Sequence, residues 1–305
     1  MIRTDKIAIL LATYNGEKYL EEQLLSLLAQ TNNNWVTYIH DDGSMDNTVQ
    51  IIDDYCKKYP DKFVKIEGLP TGGAKNNFYF LMRQIYAPGY FFCDQDDVWL
   101  PNKIEKSLSL IDLDSDIPEM VYSDLKLVDA NKRVIAESMW DFLGFNNEHL
   151  TMNRLIVRNT VTGCTIAMNN KLWELMLKYE NINNIPMHDK WAALIALKFG
   201  TVKYTKEQLV LYRQHEGNVI GAVNNKSLKS ITKKIFQCKK IKQSYEFTRI
   251  QAQEFSNVFK LKENDPIRIY GELLYKNKLL RIWCYFKYSF FSESLTQIVG
   301  MILFG

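Results

Sequence analysis

Tyr90-Phe-Phe-Cys-Asp-Gln-Asp-Asp-Val-Trp99 joins a short apolar run to a dense group of carboxylates, Asp94, Asp96 and Asp97. A run this short, closed abruptly by polar residues, reads as a buried strand ending at a sheet edge. Carboxylates so close together repel one another unless a cation or hydrogen-bond donors neutralise them. A hard divalent ion, Mg or Mn, has the oxygen-ligand chemistry for that and keeps positions open for phosphate. A solvated acidic turn is the plainer alternative, and the context of the stretch has to decide between the two.

Upstream, strand and helix signals alternate. Lys6 to Ala12 is a short apolar run, and Glu17 to Gln30 carries Leu20, Leu24, Leu27 and Leu28 at helical spacing. Trp35 to His40 is strand-like, Met45 to Tyr59 helical, Phe63 to Ile66 a short strand, and Gly72-Gly73 opens a helix through Tyr86. Such alternation with short connections predicts an α/β fold, a mostly parallel sheet with helices on both faces. Polar residues gather just after the strands, at Thr13-Tyr14-Asn15, at Asp41-Asp42 and at Asp94 to Asp97. In open α/β sheets ligands bind at the carboxyl ends of strands, so three segments point to one crevice. Downstream the pattern becomes mixed. Met120 to Val128 and Arg133 to Ala136 read as paired strands, and Thr162 to Met168 as another, followed by a helix from Lys171 to Tyr179. Pro186-Met-His-Asp189 enters a further helix, and Val202 to Tyr204 and Gln208 to Tyr212 read as strands closing the sheet.

Other segments carry two readings each. In Asp41-Asp42-Gly43-Ser44, Gly43 can supply a positive φ while Ser44 or Asp46 caps the next helix; alternatively a carboxylate faces a base or ribose. Thr13-Tyr14-Asn15-Gly16 is a strand-to-helix turn, or it offers backbone groups and an aromatic face to a nucleobase. Asp189 sits at a helix N-terminus, which favours its ionised form. It is an N-cap, or a general base for a hydroxyl. His215 is a structural histidine, or a ligand for metal or phosphate.

At 305 residues the chain can bury a full core and hold one catalytic domain plus an appendage. A net charge of +3 gives no reason to expect nucleic acid as a partner. Five scattered cysteines without CxxC pairing argue against a zinc site or a disulfide framework and fit a cytoplasmic protein. The opening apolar stretch reads as a first strand, not as a signal peptide. No apolar run approaches the roughly 20 residues that span a bilayer.

Together these segments resemble the family 2 glycosyltransferases, inverting enzymes of the GT-A fold, over about residues 5–221. Ala12-Thr-Tyr-Asn-Gly16 is similar to the family's nucleotide-binding opening, and His40-Asp-Asp-Gly-Ser44 with Asp46 to its second motif. Cys93-Asp-Gln-Asp-Asp-Val-Trp99 resembles the DxD motif of a bacterial rhamnosyltransferase-like branch. Met187-His-Asp-Lys-Trp191 matches the position of the catalytic base, and Tyr212-Arg-Gln-His215 with Asn218-Val-Ile-Gly221 resembles that branch's late motif.

The resemblance implies roles. Thr13, Tyr14, Asn15, Asp41 and Asp42 would line the nucleobase and ribose, and Lys75 or Asn77 would complete that pocket. Asp94 and Gln95 would meet the donor near the ribose. Asp96, Asp97 and His215 would hold a divalent ion, Mn or Mg, and Asp189 would be the base. His188, Trp99 and Arg213 are candidates for contact with acceptor or diphosphate. Many family members have an acidic pair where this chain has His188-Asp189, so Asp189 alone is left as the carboxylate base. The implied donor is dTDP-rhamnose or a UDP-sugar. The implied acceptor is a saccharide, free or polyprenyl-diphosphate-linked, in cell-surface polysaccharide synthesis. The expected division is a GT-A domain over 1–221, with its donor half at about 1–100 and its acceptor half at about 101–221, then a helical C-terminal region over 222–305.

That last region is basic, then aromatic. Leu279 to Phe291 mixes large apolar residues with Lys and Arg, as would a peripheral helix on the inner face of an anionic membrane. A helix covering the core, or one joining two copies in a homo-oligomer, would look the same. Two other functions fit less well: a nucleotidyltransferase would open with a glycine-rich basic loop that is absent here, and a non-catalytic nucleotide-sugar-binding protein would not need an intact acidic cluster.

Overall fold

The computed structural model describes residues 1–145, 150–179, 182, 185, 187–215, 231–291 and 295–304; for 231–241, 295–297 and 304 it describes the backbone alone. The first part runs β1 (Ile2–Arg3), β2 (Ile7–Thr13), α1 (Leu20–Leu28), β3 (Trp35–Asp41), α2 (Thr48–Lys58), β4 (Phe63–Lys65), α3 (Ala74–Gln84), β5 (Ile85–Tyr86) and β6 (Gly89–Asp94). After it come β7 (Val98–Trp99), α4 (Lys103–Leu108), β8 (Glu119–Val128), β9 (Val134–Ala136), α5 (Met139–Leu143) and α6 (Met152–Val157). The chain continues through β10 (Ala167–Asn169), α7 (Asn170–Leu177), α8 (His188–Phe199) and β11 (Thr201–Arg213). Four helices close it: α9 (Ile231–Val258), α10 (Pro266–Glu272), α11 (Lys278–Tyr288) and α12 (Leu295–Phe304).

The main sheet has the order β4-β3-β2-β6-β10-β8-β11-β7, with β9 added on β8. Its first four strands are parallel; β10 then runs antiparallel between β6 and β8. Every residue of β2 is buried, as a strand covered on both faces must be. In α1, Leu20, Leu24 and Leu27 face inward while Leu25 is exposed, the helical spacing read from the sequence. This is the layered α/β architecture expected, and its register decides the site. Thr13 pairs with Asp41, and Ala12 with Asp94. The three polar ends therefore lie level along one edge.

Three local expectations need correction. The stretch 162–168 is not one strand: Gly163–Thr165 forms a 3₁₀ turn and the paired strand is Ala167–Asn169. The helix after Gly73 stops at Gln84, because Ile85–Tyr86 turns extended to pair with Ile2–Arg3. The two closing strands are one, Thr201–Arg213, whose register against β8 shifts at Thr205/Gln208 and Gln208/Leu211. Asn218 to Gly221 and Pro186 lie outside the described residues.

The end of α9 packs on α8. Phe255 lies 5.1 Å from Trp191 and Phe259 lies 4.8 Å from Phe199, ring to ring. Lys198 of α8 pairs with Asp265, whose carboxylate also caps α10 through Ile267 N–H. These helices cover the core.

Candidate active site

The loops after β2 and β3 are tied to each other. Thr13 Oγ1 donates to Asp41 Oδ1 at 2.9 Å, Asn15 N–H to Ser44 Oγ at 2.7 Å, and Met45 N–H to Asn15 Oδ1 at 2.9 Å. Gly16 N–H donates to Thr48 Oγ1 and Glu17 N–H to Asp46. Asn15 holds a positive φ of 47°, and Gly43 one of 88°, which suits Asn and Gly in tight turns. Asp41 is consumed by this network: its Oδ2 also accepts the N–H groups of Gly43 and Ser44. It is a turn residue, not a free carboxylate for a ribose.

Asp42 anchors the opposite wall. It accepts the N–H groups of Thr71, Gly72 and Gly73 and the hydroxyl of Thr71. Burial alone would raise its carboxyl; the hydrogen bonds from Thr71 and Gly73 overcome that and hold it below the usual range. Gln95 performs a similar task for Tyr14. Its Oε1 accepts Tyr14 N–H and its Nε2 donates to Tyr14 O, both at 2.8 Å. The Tyr14 ring is left 53% exposed at the mouth of the crevice.

The acidic residues divide by the direction of their side chains. Asp96 Oδ2 lies 2.9 Å from His215 Nε2, and the His215 ring packs 4.9 Å from Tyr19. Asp97 faces inward. It is fully buried, with one oxygen accepting Arg213 N–H at 3.2 Å and the other without a hydrogen-bond partner among the described residues. Ligand atoms of Asp94, Asp97 and Cys164 all lie within 4.8 Å of one another. Burial and the charges of Asp96 and Asp94 raise the Asp97 carboxyl, and burial keeps the Cys164 thiol protonated. A neutral thiol is a poor ligand for Mg or Mn, so Asp96 with His215 is the better-suited pair.

Asp94 is raised to about 7, first by burial and then by the charges of Asp96 and Asp189. Asp189, from the start of α8, thus shares one electrostatic field with the carboxylates that end β6. Its own carboxyl is raised to about 6 by burial, against hydrogen bonds from Lys190 N–H and the Asn159 side chain. A cation beside Asp96 would relieve this cluster of like charges, so the residues present fit a divalent ion.

Five candidates lie elsewhere than the sequence suggested. Trp99 is 1% exposed, its ring 5.6 Å from Phe91 inside the core. His188 is buried between Phe78 and Phe92, with neither ring nitrogen bonded among the described residues, and burial lowers it to about 3; it is a neutral packing residue. Arg213 is equally buried. It donates to the carbonyls of Asp96 and Ala130, pairs with Glu22 and lies over the Tyr19 ring, so it braces the Asp96 loop. Asn77 is clamped to His40, and Lys75 donates to the carbonyls of Ile182 and Ile185. Both side chains are thus committed to partners within the protein.

Two buried lysines escaped the sequence reading. Lys190 donates to Ile156 O at 2.7 Å and is lowered to about 7 by burial, beside Asp189. Lys103 lies over the Trp99 ring at 4.3 Å, and its ammonium group has no hydrogen-bond partner among the described residues. Their adjacency to Asp189 and to the acidic motif was the available signal, but a lysine is rarely buried.

Comparison with known proteins follows from this geometry. The sequence model of "Glycosyl transferase family 2" matches residues 8–174. The chain is 29% identical over 228 residues to the dTDP-rhamnosyl transferase RfbG of Shigella flexneri, covering 70% of this chain and 74% of that one. Among solved structures it is similar to S. aureus TarS 1-349 in complex with UDP-GlcNAc, with a TM-score of 0.61 and 20% identity over 97% of this chain and 79% of that one. It is also similar to the mannosyltransferase PcManGT of Pyrobaculum calidifontis, solved with GDP-Man and Mn2+, with a TM-score of 0.57 and 14% identity over 92% and 71% of the two chains. These likenesses share the GT-A fold.

Proposed function

This chain belongs to glycosyl transferase family 2, and on that premise we propose that it moves a sugar from a nucleoside diphosphate to an acceptor hydroxyl with inversion. The observation that carries the reading is the meeting of Asp94, Asp96 and Asp189 in one field at the carboxyl edge of the parallel strands. Asp189 takes the proton from the acceptor hydroxyl as it attacks the anomeric carbon. A carboxylate with a value of about 6 suits that task near neutral pH better than an ordinary one. The exposed Tyr14 ring offers a face to the nucleobase, and the Asp42-anchored loop with Thr71 to Gly73 forms the far wall of the donor site. Asp96 and His215 would hold a divalent ion, which when bound offsets charge on the departing diphosphate. Holding donor and acceptor in line supplies a further share of the rate.

The similarity to RfbG favours dTDP-rhamnose as donor, and the likeness to TarS keeps UDP-sugars as the alternative. The acceptor is a saccharide, free or carried on a polyprenyl diphosphate, in bacterial surface-polysaccharide synthesis. Residues 1–221 form the catalytic domain, donor half first, and the rest a helical extension. The deciding experiment is release of nucleoside diphosphate from dTDP-rhamnose and from UDP-sugars, with Mn and with EDTA. Hydrolysis or transfer with one donor, lost in EDTA, is the expected result. No turnover of any nucleotide sugar would overturn the reading.

A further inference from the structure

The C-terminal helices display apolar surface that the fold leaves unused. In α11, Leu279, Trp283 and Phe286 are 80%, 54% and 58% exposed, and their spacing of four and three puts them on one face of the helix. Leu280 widens the stripe, and Leu303 of α12 joins it, since Lys278 Nζ donates to the Leu303 carbonyl at 3.0 Å. The opposite side of α11 is fixed to the protein: Tyr285 is buried and accepts a hydrogen bond from Arg249 Nη2 at 2.6 Å. The stripe is therefore held outward by a rigid attachment.

Its charged surroundings are mainly basic. The helix α11 carries Lys278, Arg281 and Lys287 and no acid, and Lys242 of α9 lines the same side through the cavity it shares with Arg281. Lys287 lies 4.4 Å over the Trp283 ring, an apolar stem and ring topped by a cation. At the root of the stripe, a cavity of about 200 Å³ opens between α9 and α11, lined by Lys242, Glu246, Arg249, Leu274 and Arg281. Arg249 is 2% exposed, its Nε has no hydrogen-bond partner, and no carboxylate pairs with it among the described residues. A buried guanidinium in that state favours an incoming anion.

We propose that this face seats the protein on an anionic lipid leaflet, with the Leu279–Trp283–Phe286 stripe in the acyl boundary and a lipid phosphate at the Lys242–Arg249–Arg281 cavity. Charge selects the occupant. A second copy docked by two-fold symmetry would set these cations against their own counterparts, whereas an anionic leaflet complements them and accepts the aromatic stripe. Among the described residues no helix is long and apolar enough to cross a membrane, so the contact is interfacial. It stands apart from the catalytic reading, because vesicle binding needs neither donor nor acceptor.

The test is flotation of the full chain with phosphatidylcholine vesicles, with or without phosphatidylglycerol. The expected result is binding to the mixed vesicles, weaker by about tenfold or more on phosphatidylcholine alone and reduced by added salt. The L279E/W283E and K242E/K287E variants should lose binding while thermal unfolding stays that of the parent. Equal binding to both vesicle types, no binding, or parental flotation by both variants would overturn the proposal. So would a concentration-dependent dimer, dissolved by L279E/W283E, in a chain that floats with no vesicle.

Discussion

His215 Nε2 stands 2.9 Å from Asp96 Oδ2, although 119 residues separate the two in the chain. The contact closes the crevice by joining the end of β11 to the acidic loop after β6. Its carboxylate–imidazole chemistry suits a divalent ion, and the neighbouring carboxylates make a cation welcome. His215→Ala should weaken Mn-dependent binding of nucleoside diphosphate by about tenfold or more, the scale seen when support of a metal site is removed. Calorimetry with and without Mn measures it; an unchanged Mn effect would exclude His215 from the site.

Asp189 gives a pH prediction with a definite sign. Its carboxyl is raised to about 6, and only the ionised form can accept a proton. Transfer under limiting acceptor should therefore fall about tenfold per unit as pH drops below that value, and level off above it. Asp189→Asn should retain donor binding and lose transfer at every pH. A profile flat from pH 5 to 8, in an active enzyme, would remove Asp189 as the base.

Arg213 separates bracing from chemistry. Its guanidinium meets Glu22 and the carbonyls of Asp96 and Ala130 while buried. Arg213→Ala should cost about 2–4 kcal/mol in urea unfolding, because hydrogen bonds from a charged donor contribute about 1.5–3 each and do not add in full. His215→Ala, by contrast, should leave the metal-free protein close to parental stability.

The strand ends were legible in the sequence because each short apolar run stops at a polar residue, and the register then sets Thr13, Asp41 and Asp94 level. What one chain of letters did not disclose is the side on which each side chain emerges. Asp96 faces His215 while its neighbour Asp97 is buried; His188 packs between two phenylalanines while the charge of its neighbour Asp189 helps raise the Asp94 carboxyl. Periodicity finds the element, but these turns and helix starts follow no period. The long β11 was read as two strands because Lys206 and Glu207 look like a break; in the fold they fall within the first of its two register shifts against β8, between Thr205 and Gln208. The buried lysines were missed for a related reason: Lys190 meets its partner, Ile156 O, only once α6 and α8 pack.

Asp42 predicts a second loss on acidification, this time from a carboxyl shifted down instead of up. Its carboxyl is depressed from an ordinary value of 3.8 by the hydrogen bonds from Thr71 and Gly73. The stabilisation is therefore present above that ordinary value and is lost as pH falls towards the folded one. Asp42→Asn should unfold more readily than the parent at neutral pH, and the gap should close below about pH 4. Thermal unfolding of both proteins across that range measures it, and a gap independent of pH would mean that the Asp42 charge holds nothing.

Gly16 tests the Tyr14 clamp. A Cβ there would collide with Gln95 Oε1, the far end of a flexible side chain. Gln95 can swing away, but only by giving up both hydrogen bonds that hold the Tyr14 peptide. Gly16→Ala should therefore cost about 1–2 kcal/mol of stability, two exposed hydrogen bonds' worth, and raise the donor KM more than it lowers kcat, since the role proposed for Tyr14 is at the nucleobase and not at the reacting carbon. Gln95→Ala should reproduce the KM effect without the steric change, because it deletes the same clamp from the other side. If Gly16→Ala raises KM and Gln95→Ala does not, the clamp is irrelevant and the glycine serves the turn alone.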